Sequence, residues 1–193
     1  MQLGLILLLL VWGCEDRKER SILMNERTGV ITFKGSPLTL VGPELKVGQP
    51  LPDATLIAND LSPVELSSYK GKTIIISTVP SLDTGICDLQ TKRFNVEAGN
   101  LGNDVVVLTI SEDLPFAQTR WCGAADAKNV VTLSDYKERA FAQASGLYIK
   151  ELALLTRSVI IVDKEGVVQY IQVVPEVATE PDYESVLKAL KDI

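Results

Sequence analysis

Residues 73–79 read Thr-Ile-Ile-Ile-Ser-Thr-Val, a run dominated by β-branched side chains, and Pro80 ends it. A strand with one face in water alternates apolar and polar residues; a run without that alternation belongs to a strand covered on both faces. The chain after Pro80 supplies cover. A helix is predicted from Thr84 or Gly85 to Glu97, stopped by Gly99 and Gly102. Asp104 to Ile110 is the next buried strand, Pro115 opens a helix running through Cys122, and Asn129 to Leu133 is a further strand. Tyr136 to Ser145 reads as a helix capped by Gly146. Ser158 to Val162 and Val167 to Val174 flank the turn Asp163-Lys164-Glu165-Gly166 as a hairpin, and Asp182 N-caps a last helix. Upstream, Val30 to Phe33 and Leu38 to Val41 make a small N-terminal β-hairpin around Lys34 to Pro37, and Ala54 to Ala58 is a short strand. Pro43 to Pro52 is a loop, and Val64 to Tyr69 is a connector. The order is that of an α/β domain.

The chemistry converges on the same strand end. Cys87 falls just inside the start of the helix after Pro80, and Thr84 lies three residues before it. The first turn of a helix has unpaired N–H groups with partial positive charge, which favour an anion such as a thiolate. Asp83 and Asp88 flank the thiol and oppose its ionisation, so a cation is needed nearby. Arg157 is the candidate. It opens a predicted core strand, a poor place for a guanidinium without a partner. Arg93, nearly two turns beyond Cys87, reads as a brace at the rim of the site, and Glu112 and Asp113 read as surface or helix-start acids. The chain has no histidine and no C-x-x-C pair, which excludes Cys-His and Ser-His-Asp devices and the common zinc sites. No cofactor is expected, so any redox chemistry would run on the thiol itself. The net charge of −6 without a basic run argues against nucleic acid as a partner.

Pro80 to Cys87, with its P-x-x-x-T-x-x-C spacing, resembles the active-site loop of the peroxiredoxins. Ser81 to Cys87 followed by Arg93-Phe94-Asn95 is similar to the thiol peroxidase branch, the atypical two-cysteine peroxiredoxins. Three further stretches agree in order: Ile110 to Gln118 with Arg120-Trp121-Cys122-Gly123, Arg157 to Asp163, and Thr179 to Tyr183. The similarity runs from about Val30 to the C-terminus. Trp121 departs from it, phenylalanine being expected before the second cysteine, and so does Thr156, where alanine or serine is commoner. The resemblance implies a thioredoxin-like fold of the peroxiredoxin type and a thiol-specific peroxidase acting on hydrogen peroxide and organic hydroperoxides. It implies Cys87 as nucleophile, Thr84 and Arg157 as its activating pair, and Cys122 as the thiol that closes an intramolecular disulfide. It further implies thioredoxin as reductant and a homodimer. Two other readings stay open: a membrane-anchored protein disulfide oxidoreductase, and a non-enzymatic module with a structural disulfide.

Residues 1–23 stand apart from the domain expected over 24–193. Leu3 to Trp12 is an apolar run too short to cross a bilayer as a helix. It reads either as a signal segment with a loose lipoprotein box before Cys14, hence an exported lipoprotein, or as a mistranslated upstream region with translation starting at Met24. The missing positive charge before the run and the bulk of Trp12 favour the second, and with it a cytoplasmic location.

Overall fold

The computed structural model of the chain describes residues 25–193; the expectations for residues 1–23, Cys14 and Met24 lie outside the described residues. In chain order the elements are β1 (Glu26–Phe33), β2 (Ser36–Val41), β3 (Thr55–Ile57), β4 (Pro63–Glu65), a 3-10 turn (Leu66–Tyr69), β5 (Thr73–Thr78), α1 (Gly85–Ala98), β6 (Val105–Ser111) and α2 (Pro115–Ala125). They continue with β7 (Val130–Ser134), α3 (Ala140–Ala144), β8 (Tyr148–Ile149), β9 (Leu154–Leu155), β10 (Ser158–Val162), β11 (Val168–Val173) and α4 (Tyr183–Lys191).

Seven strands form the central sheet in the order β11-β10-β5-β6-β7-β3-β4. β5, β6 and β7 run parallel, with Ile74 opposite Val106 and Leu108 opposite Val131. β10 joins β5 antiparallel, and β11 pairs with β10. The β-branched run of β5 is buried throughout, and its alternate residues serve two cores. Ile74 and Ile76 pack with Leu108, Ile110, Leu133 and Ile160 against Phe141 and Ala142 of α3. Ile75 points the other way, with Val107, Val159 and Ile161, against Phe94 of α1 and Tyr183 and Val186 of α4. Each wholly buried aliphatic side chain contributes about 1.5–3 kcal/mol, so the sheet is held from both sides, as the missing polar alternation implies.

The N-terminal hairpin is present and tighter than expected. Lys34 and Gly35 alone form the turn, both at positive φ (50° and 80°), the two-residue geometry that suits strand twist. The hairpin belongs to a second sheet, β1-β2-β8-β9, whose last two strands have two residues each. Such short strands leave no period to read. Two helices differ from expectation. The helix expected over 136–145 is confined to Ala140–Ala144, because Arg139 at φ 51° breaks the chain and Asp135 caps the Phe141 and Ala142 N–H groups. α2 passes through Gly123 to Ala125 and stops at Asp126, whose left-handed backbone (φ 50°) sends its N–H back to the Cys122 carbonyl.

Candidate active site

β5 ends at Thr78, and the chain crosses Pro80 to Asp83 before entering α1. Thr84 has the extended backbone of an N-cap (φ −106°, ψ 146°), but its side chain does not cap. The first intrahelical bond runs from the Asp88 N–H to the Thr84 carbonyl. The N–H groups of Gly85, Ile86 and Cys87 therefore have no partner within the helix, and their positive dipole ends lie at the end of α1 that carries Cys87.

Cys87 is 0 % exposed, and its sulfur has two polar neighbours. Thr84 Oγ1 lies 2.8 Å from Cys87 Sγ and also 3.0 Å from the Ser81 carbonyl. A hydroxyl carries one proton, so the state of the sulfur decides where it goes. Beside a thiol, Thr84 donates to Ser81 and accepts from S–H; beside a thiolate, it donates to sulfur. The second neighbour is Arg157 Nη2, 3.3 Å from Sγ.

Arg157 is 2 % exposed. It precedes β10 in the register of Val159 and Ile161, so it faces α1. Its three nitrogens have separate partners: Nε donates to the Val177 carbonyl at 2.9 Å, Nη1 to Gln90 Oε1 at 2.6 Å, and Nη2 to Cys87 Sγ. Gln90 is in turn fixed by its amide, which donates to Ser77 Oγ of β5 at 2.7 Å. A buried guanidinium held this way has little freedom, and its charge acts on one sulfur at short range through a poorly screening interior.

Gln90 escaped the sequence reading. Its signal was there: Cys87, Gln90, Thr91 and Phe94 are the buried residues of α1, and a polar side chain on such a stripe needs a partner. Asp113 was misread as a surface or helix-start acid. Its carboxylate accepts from Ser81 Oγ at 2.7 Å, the Leu82 N–H at 2.8 Å and Ser111 Oγ at 2.8 Å. It pins the loop that delivers Cys87 to the end of β6. Glu112 is no surface acid either. Its side chain is 5 % exposed, its oxygens accept no hydrogen bond from the described residues, and only Arg139, at 3.7 Å, opposes its charge. Burial first, then the Asp135 carboxylate, pushes Glu112 up to about 7; burial likewise raises Asp135 to about 6.

The acids flanking Cys87 have cations of their own. Asp83 pairs with Arg120 at 2.8 Å, and Asp88 pairs with Lys92 at 2.9 Å while accepting from Trp121 Nε1 at 3.0 Å. The Arg93 guanidinium lies 4.3 Å over the ring of Tyr183 in α4.

Thr84, Cys87 and Arg157 thus meet within hydrogen-bonding reach, and Cys122 stands apart. It sits on α2, half-buried, with Sγ 3.4 Å from Thr132 Oγ1, and both cysteines are free thiols. Trp121, next to Cys122 in the chain, packs with Val79, Leu82 and Cys87, and Cys122 lies against the same cluster. Such a site can hold a thiolate, hold a polar oxygen compound beside it, and neutralise charge leaving the sulfur. Among the described residues no group of three or more His, Cys, Asp or Glu could hold a metal ion.

Residues 46–187 match the family model described as Redoxin, and the class of the protein follows: a redoxin domain. The chain is 55 % identical over 161 residues to a thiol peroxidase of Bacillus subtilis, covering 83 % of this chain and 96 % of that protein. To the thiol peroxidase of Oceanobacillus iheyensis it is 54 % identical over 160 residues, 83 % and 97 % of the two chains. The crystal structure of a peroxiredoxin-like protein from Aquifex aeolicus superposes with a TM-score of 0.80 at 41 % identity, over 87 % of this chain and 98 % of that one. The chain belongs to the thiol peroxidase family, and it is a peroxidase of the peroxiredoxin type with a thioredoxin-like fold.

Proposed function

We propose that Cys87 is the nucleophile of a two-cysteine peroxidase cycle. The observation that carries this is the pair of contacts on one sulfur, Thr84 Oγ1 at 2.8 Å and Arg157 Nη2 at 3.3 Å. The Cys87 thiolate attacks the distal oxygen of a hydroperoxide. An S–O bond forms as the O–O bond breaks, and the leaving oxygen departs as water or an alcohol after taking a proton. Arg157 and the first-turn amides follow the negative charge as it moves from sulfur to the leaving oxygen, a group of donors set before the reaction starts. The Thr84 hydroxyl swings from sulfur to hold the incoming peroxide. The sulfenic acid on Cys87 then condenses with the Cys122 thiol, releasing water and leaving a disulfide. A dithiol of the thioredoxin kind reduces that bond by exchange.

Closing the disulfide needs α2 to unwind locally. Bonded cysteines have Cα atoms within about 7 Å, whereas packed helices have axes about 8–10 Å apart. α2, with a single turn beyond Cys122, is the element to give way. The working domain is residues 24–193, with the Redoxin match inside it; the resemblance supports a homodimer. For the location there is one further observation: no described helix is long and apolar enough to cross a membrane.

The test is peroxide consumption coupled to a thioredoxin system, comparing hydrogen peroxide with an organic hydroperoxide, in the parent and in Cys122→Ser. Sustained turnover in the parent and a single turnover in Cys122→Ser are expected. Full thioredoxin-dependent turnover in Cys122→Ser refutes the two-cysteine cycle.

A further inference from the structure

Trp121 stands beside both cysteines: it precedes Cys122 in the chain and packs in the cluster that holds Cys87. The indole is 7 % exposed and packs in the cluster that holds Cys87. Its Nε1–H donates to Asp88 Oδ1 at 3.0 Å. Asp88 follows Cys87 in the first turn of α1, and Trp121 precedes Cys122 in α2. One hydrogen bond therefore ties the residue beside one thiol to the residue beside the other. A phenylalanine ring could fill the same cluster but has no N–H to make it.

The tie holds the helices in the arrangement that keeps the thiols apart. Cys122 Sγ is turned to Thr132, and the indole occupies the cluster next to Cys87. Cys122 packs against the edge of that cluster with its sulfur on Thr132, so bringing it to the Cys87 sulfur means moving the stretch of α2 that carries Trp121, and the bond to Asp88 resists that movement. Lys92 Nζ lies 2.9 Å from the Asp88 carboxylate and holds it in orientation as an acceptor.

We propose that the Trp121–Asp88 hydrogen bond is a brake on disulfide closure, lengthening the life of the Cys87 sulfenic acid. The inference rests on Cys122 being the resolving thiol. Its consequence is a changed partition. The sulfenate either loses water to form the disulfide with Cys122, or attacks a second hydroperoxide, gaining one oxygen to become a sulfinate while that peroxide leaves as water or alcohol. A slower closure sends more protein down the second branch. A hydrogen bond to a charged acceptor corresponds to roughly tenfold or more in an equilibrium. With Asp88 partly open to water, removal of the bond is expected to speed closure about three- to tenfold.

The experiment mixes the reduced full chain with hydrogen peroxide, quenches with a thiol alkylator, and counts disulfide and sulfinate by mass spectrometry. Trp121→Phe keeps an aromatic ring, though a smaller one, and loses the donor. Its disulfide is expected to form about three- to tenfold faster, with the sulfinate-to-disulfide ratio lowered by the same factor. The bond is tested from its other end by Asp88→Asn and Asp88→Ala. Both lose the charge, but only asparagine keeps an oxygen acceptor, so Asp88→Ala is expected to close faster than Asp88→Asn. Equal closure rates and ratios in the parent and Trp121→Phe overturn the brake; if Trp121→Phe does not fold, equal values in the two Asp88 variants do so. Absence of a Cys87–Cys122 disulfide in the parent refutes instead the resolving role on which the brake depends.

Discussion

Replacing Arg157 by methionine separates what the guanidinium does for the fold from what it does for the reaction. The stem is kept, so little cavity is left, and three donors disappear. Two of the groups they serve, the Val177 carbonyl and Gln90 Oε1, are then buried without that partner. An unsatisfied buried polar group costs about 1–3 kcal/mol, so Arg157→Met is expected to lose roughly 2–6 kcal/mol in urea unfolding of the reduced protein. The third partner, Cys87 Sγ, reports on function. Without the guanidinium the attacking sulfur loses its one charged partner, and charge on the leaving oxygen has lost a donor. The second-order rate with hydrogen peroxide is expected to fall by roughly 10²-fold or more, and alkylation of Cys87 by iodoacetamide near pH 7 is expected to slow as well. The peroxide rate is measured by stopped flow, far below the denaturant midpoint of the variant. A variant that loses stability yet keeps the peroxide and alkylation rates within threefold would show Arg157 to be a structural pin alone.

Thr84→Val removes the hydroxyl at 2.8 Å from sulfur while keeping the β-branched shape. A peroxide rate down by roughly 10²-fold is expected, with Thr84→Ser within about threefold of the parent by the same reasoning; a valine variant as fast as the serine variant contradicts it. Glu112 bears on stability against pH. Its folded value of about 7 lies above that of an unfolded glutamate, so the folded state holds a proton that the unfolded chain has released. Stability is therefore lost as pH rises from about 4.5 to 7, by up to about 3 kcal/mol, and the loss is complete above that range. Asp135 adds in the same direction up to about pH 6. Denaturant midpoints of the parent and Glu112→Gln, measured from pH 5 to 8, are expected to diverge in favour of the variant as pH rises; parallel curves refute the buried-carboxyl account. A chain begun at Met24 is expected to keep the fold and the peroxide rate, and loss of either by circular dichroism or assay overturns the division at residue 24.

The order of elements was legible because the sheet is covered on both faces. β5, β6 and β10 are buried runs, and the prolines at 80 and 115 mark where the chain leaves a strand or enters a helix. Thr84 and Cys87 were legible for a local reason, since a spacing of three at a helix start places both side chains at one end. Arg157 showed itself as a charge where a core strand begins. What stayed hidden depends on distant partners. Gln90 matters through a residue 67 positions away, and Asp113 through Ser81 and Leu82, 32 and 31 positions back. Nothing around Glu112 announces its burial, because the residues that cover it come from the segment around Asp135 and Arg139. The strands β8 and β9 are too short to carry a pattern, and α3 is set by a left-handed residue, Arg139, whose type does not predict it.

The central claim is that the chemistry begins at Cys87, and the most direct measurement is the peroxide-consumption rate of the full chain carrying Cys87→Ser. Serine nearly matches the side chain in size and keeps a polar atom beside Thr84 and Arg157, but it has no thiolate to attack with. Loss of essentially all activity with hydrogen peroxide and with organic hydroperoxides is expected. A Cys87→Ser protein that is folded and still consumes peroxide at more than a few per cent of the parent rate contradicts it.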